Sequence, residues 1–276
     1  MKVEKIDLYE YFKIKKPQGA QAFLTLYLQD GYKVYPKRTR PAMLVVAGGG
    51  YWSVSLREKE PVAIKFLEKG YNAFVLDYSV EPVCFPNQLI EGAMAMAYIR
   101  KNAKALGVDK NHVGAVGFSA GGHLTGMLAT MFDAPEVVGA LKSNAKYVRP
   151  DAVILSYPVI KYPGKTNIKT FINISGGNEQ LMRELSLEKK VTENSSPAFI
   201  WTTVADTTVP MESSIAMMLA YREKEVPFEF HAFTNGGHGL SICDQETSKV
   251  NNEAKEWLNL AFNWLKVQGF KIKDKN

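Results

Sequence analysis

Two cysteines in 276 residues, Cys84 and Cys243, are too few for a disulfide framework, which favours a reducing compartment. No stretch approaches the ~20 apolar residues that a membrane span requires. The charged N-terminus, Met1 to Asp7, leads into no apolar segment of signal-peptide type. These absences make the cytoplasm the expected location and a membrane an unexpected partner. The chain also lacks His-Glu-x-x-His, Cys-x-x-Cys and any close His/Asp cluster, so no metal site is expected. Nucleic acid is not an expected partner either. The net charge of +6 comes from 34 basic and 28 acidic residues, scattered apart from small clusters at Lys13–Lys16 and Lys271–Lys275. No basic stripe is interleaved with stacking aromatics. Internal repeats and low-complexity segments are missing as well. What is present, 46% hydrophobic and 22% charged residues, is ordinary for a globular chain, and the length fits one α/β domain spanning residues 1–276.

Apolar segments alternate with helical periodicity along the chain. Gln21–Leu28 alternates with period two and ends at Asp30-Gly31, which predicts an early antiparallel strand. Buried strands are expected at Pro41–Ala47, Asn72–Tyr78, His112–Val116, Ala152–Tyr157, Ala198–Val204 and Phe228–Phe233. Helices are expected at 57–69, from Pro86 to Leu106, after residue 121, and around Glu212–Lys224 and Glu253–Lys266. Strands alternating with helices imply a mostly parallel sheet of about eight strands, covered on both faces. Residues 160–196 break the rhythm. They are polar, carry Gly176-Gly177 and one weak helix near Glu179–Leu187, and read as a small lid-like insertion.

Gly117-Phe118-Ser119-Ala120-Gly121 is a G-x-S-x-G pattern between an apolar β-branched run and a helix-compatible segment. A strand, a sharp turn and a helix form the setting in which such a serine becomes a strained, exposed nucleophile. The alternative is a glycine-rich βα turn with a bystander serine.

A serine hydroxyl needs a base, and the base needs a third group to hold its tautomer. In a sheet of this kind the acid follows the serine and the histidine follows the acid. His112 and His123 lie too close to Ser119 in sequence, and His231 falls inside a strand. His238, in Asn235-Gly236-Gly237-His238-Gly239 after the last strand, is the expected base. Asp206 follows the strand Ala198–Val204 and is the expected acid, although an aspartate there can equally cap a helix. Asp151 sits at the wrong edge of the sheet, Asp244 comes after the histidine, and Glu193 is a weak runner-up within the insertion. Gly48-Gly49-Gly50 follows a strand without a Gly-Lys-Ser/Thr continuation, which disfavours a phosphate loop. Backbone N–H groups of this glycine loop, completed by that of Ala120, are the expected donors to a developing oxyanion. Tyr51 and Trp52 come next; either they bind substrate by walling the acyl or alcohol pocket, or they join the core.

Ala47-Gly48-Gly49-Gly50-Tyr51, Gly117 to His123, Asp206-Thr207-Thr208-Val209-Pro210 and Gly237-His238 together resemble the α/β-hydrolase esterases, especially the acetyl xylan esterase and carbohydrate-esterase branch. The resemblance runs from about Ala42 to the last helix. It implies an α/β-hydrolase fold, a serine esterase with no cofactor, and a preference for short acyl groups, often acetyl on a sugar. It maps Ser119, Asp206 and His238 onto the family's triad, and Gly48, Gly49 and Ala120 onto its oxyanion donors. Ala47 stands where relatives commonly carry His or Pro, which argues against the hormone-sensitive-lipase branch, and Glu91-Gly92 stands where they often carry an aspartate. The expected partner is a small-molecule ester, and a homodimer is left open. An amidase or peptidase of the same fold, and an inactive binding protein, are the alternatives.

Overall fold

The backbone run Ala42–Val46 is inaccessible to solvent at every position, and its alternate side chains serve different cores. Met43 and Val45 face one cluster with Ala73, Val75, Phe199 and Trp201, whereas Leu44 and Val46 face the other with Leu24, Leu26, Leu155 and Ile200. A strand buried on both faces needs apolar residues at every position, which is why these strands read as continuous runs rather than alternations. The computed structural model describes residues 1–29, 38–142, 147–164 and 167–274. The turn expected at Asp30-Gly31 and the lysine at 275 lie outside them.

In chain order the described strands are β1 (Lys2–Asp7), β2 (Phe23–Leu28), β3 (Arg38–Val46), β4 (Asn72–Asp77), β5 (Val108–Phe118), β6 (Val153–Ser156), β7 (Ala198–Thr203), β8 (Phe228–Phe233) and β9 (Lys273–Asp274). The sheet runs β1-β2-β4-β3-β5-β6-β7-β8, with β9 pairing antiparallel to the start of β3. From β4 to β8 all pairings are parallel; β1 and β2 are antiparallel at one edge. This is the α/β-hydrolase fold expected from the sequence. Helices Asn87–Lys101 and Ala120–Thr130 bury their side chains in one core, and Glu60–Glu68 and Trp257–Val267 in the other. Trp201 stacks on Trp257 at 5.1 Å and 14°, and its indole N–H donates to Ser156 Oγ at 2.8 Å, so a polar atom in the core is satisfied.

Several elements differ from the sequence expectation. The helix expected at 57–69 is a 3-10 turn, Leu56–Glu58, followed by a helix over Glu60–Glu68 with Pro61 in its first turn. Proline fits there because its missing N–H has no intrahelical partner to lose. The charged N-terminus forms the edge strand β1, whose half-exposed residues hide its pairing potential in sequence. Within 160–196, a second helix, Ile168–Ser175, precedes Glu179–Glu184. Phe171, Ile174, Met182, Leu185 and Leu187 of this segment are buried in the core that also holds the helix Ala120–Thr130.

The chain moves outward from β3 to β4, then returns to place β5 on the other side of β3. Ligands of open parallel sheets bind at such a reversal, beyond the carboxyl ends of the strands. The glycine loop follows β3 and Ser119 follows β5, so both lie at this point. The loops after β6, β7 and β8 carry Tyr157, Asp206 and His238 to the same edge.

Candidate active site

Ser119 has φ 54° and ψ −117°, a conformation that costs a non-glycine residue about 1–3 kcal/mol. Neighbouring contacts hold it there. Its N–H donates to Ser156 O at 3.0 Å, and its carbonyl accepts from His123 N and Val159 N, each at 3.1 Å. The flanking glycines are required by space. A Cβ on Gly117 would overlap the Gly121 carbonyl and Thr125 Oγ1, and one on Gly121 would overlap the Val46 and Ala47 carbonyls.

His238 Nε2 lies 2.7 Å from Ser119 Oγ, and His238 Nδ1 lies 2.7 Å from Asp206 Oδ2. A carboxylate only accepts, so Nδ1 carries the hydrogen and Nε2 is free to accept from the serine hydroxyl. Asp206 is buried, and its second oxygen, Oδ1, accepts from Thr208 N at 2.9 Å and Val209 N at 3.0 Å. One oxygen of this aspartate thus closes a turn and the other faces the imidazole. The turn is not a helix cap, since the next helix, Glu212–Glu223, begins six residues on. Tyr157 packs edge-on against the His238 ring at 5.0 Å.

The remaining candidates are spent elsewhere. His112 pairs with Asp109 at 2.9 Å and His231 with Glu229 at 2.7 Å. Asp151 pairs with Arg100 at 2.8 Å, Asp244 faces Lys65 at 3.7 Å, and Glu193 is exposed. Among the described residues no group of three or more His, Cys, Asp or Glu side chains is placed to hold a metal.

The glycine loop departs from expectation at Gly48. Its N–H is committed to the Glu58 carboxylate, Oε2 accepting at 2.8 Å, so Gly48 has no free donor. The loop's carbonyls turn towards the next segment: Gly48 O accepts from Ser55 N at 2.9 Å, and Gly49 O accepts from Trp52 N and Ser53 N at 3.2 Å. In a trans peptide the following N–H is antiparallel to the carbonyl. The N–H groups of Gly49 and Gly50 therefore point away from that turn. The family resemblance selects Gly48 and Gly49 from this loop, whereas the residues alone carry no mark of which of three adjacent peptides is engaged.

Tyr51 is not a pocket wall. It is fully buried, and its hydroxyl lies 2.9 Å from His123 Nδ1, while His123 Nε2 lies 2.9 Å from Leu185 O. The Leu185 carbonyl can only accept, so Nε2 bears the hydrogen and Tyr51 donates to Nδ1. Burial pushes the His123 pKa down to about 4, which keeps the ring neutral. One neutral histidine thus ties the glycine loop, the helix after Ser119 and the segment 160–196 together. Trp52, by contrast, is 66% exposed beside the glycine loop. Asn173 Nδ2 donates to Gly50 O at 2.8 Å, so the same segment also braces the loop. A cavity of about 680 Å³ lined by Tyr71, Phe262 and Phe270 lies at the opposite edge of the sheet and shares no residue with this site.

A parallel sheet of this order, with a strained serine after β5 and a histidine–aspartate pair after β8 and β7, is the architecture of an α/β hydrolase. Residues 27–220 match the BD-FAE family model. The chain belongs to the BD-FAE family. It is 39% identical over 218 residues to endo-1,4-beta-xylanase B of Butyrivibrio fibrisolvens, a match covering 75% of this chain but 33% of that protein. A crystal structure of an acetyl ester-xyloside bifunctional hydrolase from Caldicellulosiruptor lactoaceticus superposes with a TM-score of 0.83 at 31% identity, covering 97% of both chains. The carboxylesterase Cest-2923 from Lactobacillus plantarum superposes with a TM-score of 0.82 at 27% identity over 98% of both chains. No described helix is long and apolar enough to cross a membrane.

Proposed function

We propose that the chain hydrolyses short-acyl carboxylic esters, acetyl esters of xylo-oligosaccharides or related sugars among them, through a covalent acyl-enzyme. The observation that carries this reading is the unbroken Ser119–His238–Asp206 hydrogen-bonded chain at a strained elbow. Ser119 Oγ attacks the ester carbonyl while His238 Nε2 takes its proton. The carbonyl electrons move onto oxygen, and the N–H groups of Gly49, Gly50 and Ala120 receive that charge. Each such donor is worth roughly 3 kcal/mol of barrier. As the tetrahedral species collapses, the C–O bond to the alcohol breaks and His238 returns the proton to the leaving oxygen. Water then attacks the acyl-enzyme, with His238 accepting its proton and giving it back to Ser119 as the acid departs. Asp206 holds the imidazole in the required tautomer and stabilises its charged form.

Support for a sugar ester comes from the relatives' names and from Trp52, whose exposed ring beside the glycine loop offers a flat apolar face to a pyranose. Residues 160–196 act in this reading as a fixed wall, since Phe171, Leu185 and Asn173 anchor them to the loop and elbow. The thiols of Cys84 and Cys243 are free, which supports a reducing, cytoplasmic setting. Hydrolysis of p-nitrophenyl esters of increasing chain length and of acetylated xylo-oligosaccharides tests the reading. Rates should fall beyond butyrate, and Ser119→Ala should lower kcat by at least about 10⁴-fold. Equal rates for wild type and Ser119→Ala would overturn the assignment.

A further inference from the structure

We propose that Glu58 is a positioning residue for this reaction, holding the glycine loop and the His238 imidazole in one hydrogen-bonded frame behind the nucleophile. The proposal rests on the reading of Ser119 as nucleophile. Glu58 ends the 3-10 turn Leu56–Glu58 and is 2% exposed, although its sequence surroundings, Arg57-Glu58-Lys59-Glu60, look like a solvated surface. Its Oε2 accepts from Gly48 N at 2.8 Å, and its Oε1 accepts from the Tyr157 hydroxyl at 2.7 Å. Tyr157 Oη in turn accepts from Ser241 N at 2.8 Å, three residues beyond His238, and the Tyr157 ring packs edge-on against His238. The same turn is pinned to the histidine loop a second time, Ser241 Oγ donating to Arg57 O at 2.6 Å.

Both partners of Glu58 are donors, and the free lone pair of Tyr157 is already taken by Ser241. Only a group with two acceptor oxygens satisfies this arrangement, which an amide cannot reproduce without setting a donor against a donor. With Gly48 N–H fixed to Glu58 and Gly48 O fixed to Ser55 N, the loop's orientation is set from both sides. That orientation aims the Gly49 N–H. Fixing Tyr157 simultaneously sets the face against which the His238 ring rests, so the donor loop and the base keep register.

The charged and titratable groups around this frame are Asp206, which contacts His238, and Arg57, Tyr157 and Tyr78, which face Glu58. Burial raises the Glu58 pKa above the ordinary carboxylate value, and the Tyr157 and Gly48 donors offset only part of that rise.

The experiment is steady-state hydrolysis of p-nitrophenyl acetate, with kcat and KM determined separately, by wild type, Glu58→Gln, Tyr157→Phe and Ser119→Ala. Glu58→Gln should lower kcat about 10- to 100-fold with KM within about threefold, because the loss falls on geometry needed in the transition state. The loss falls on kcat with KM held, a split that merely loosened packing would not produce. Tyr157→Phe should lower kcat about 5- to 20-fold by freeing the same frame. A folded Glu58→Gln with wild-type kcat overturns the proposal. If Glu58→Gln does not fold, wild-type kcat in Tyr157→Phe overturns it instead. A wild-type rate that survives Ser119→Ala defeats the nucleophile reading itself, whereas a Ser119-dependent rate indifferent to both frame variants defeats only the role of Glu58.

Discussion

Asp206 shows how the two oxygens of one buried carboxylate serve two different partners. Its Oδ1 closes a turn on Thr208 and Val209, and its Oδ2 faces His238. Asp206→Asn keeps an acceptor for the turn but offers an amide that can force the wrong imidazole tautomer. We expect kcat to fall on the order of 10³- to 10⁴-fold while the melting temperature changes little; a near-normal rate would refute the tautomer argument. The residue types needed for this pair were legible in the sequence, because order along the chain and position after a strand single them out. Glu58 and Tyr157 were not. Nothing in a local window distinguishes a buried carboxylate from its solvated neighbours when its partners lie 10 and 99 positions away.

At the scale of the element, the elbow depends on the absence of side chains. The helix Ala120–Thr130 begins directly against the carboxyl end of β3, and Gly121 sits on the carbonyls of Val46 and Ala47. A methyl group there meets rigid backbone rather than a flexible side-chain end. Gly121→Ala should therefore destabilise the fold by about 4 kcal/mol or more, measured by urea denaturation, placing it among the severe single substitutions. Gly139, on the short helix Pro135–Leu141, has open space around the equivalent position, and Gly139→Ala should be neutral or slightly stabilising. Comparable Cm values for the two variants would contradict the steric account. The segment 160–196 shows the opposite limit of sequence reading. Its polar composition suggests a loose insertion, yet Phe171 and Leu187 are buried and His123 donates to Leu185 O. Composition averages over a segment, while a few apolar residues at helical spacing suffice to anchor it.

Across the whole molecule, two buried titratable groups oppose each other in their effect on stability. Burial lowers the His123 pKa to about 4 from 6.5, so between these values the unfolded chain binds a proton that the native state does not. Its contribution is complete above pH 6.5 and lost as pH falls towards 4, on the order of 3 kcal/mol in all. Burial raises the Glu91 pKa from 4.5 to about 7, despite donors at Ser79 and Tyr9. There the native state binds the extra proton, so the contribution is complete below pH 4.5 and lost as pH rises through 7. Melting temperatures from pH 4 to 8 should therefore fall less steeply on the acid side in His123→Gln and less steeply on the alkaline side in Glu91→Gln. An unchanged acid-side slope in His123→Gln would disprove its neutral burial.

The sequence by itself determined the fold class, the strand–turn–helix elbow at Ser119 and the order in which Asp206 and His238 follow it, because each of these is written in local signals. Apolar runs mark two-faced strands, glycines mark the turn, and chain order fixes which loop follows which strand. Only the tertiary structure decided which glycine N–H groups stay free, that Tyr51 braces rather than lines the site, and that Glu58 lies beneath it. Those outcomes depend on hydrogen-bond partners brought together by folding, and a donor's availability is set by what sits opposite it in space.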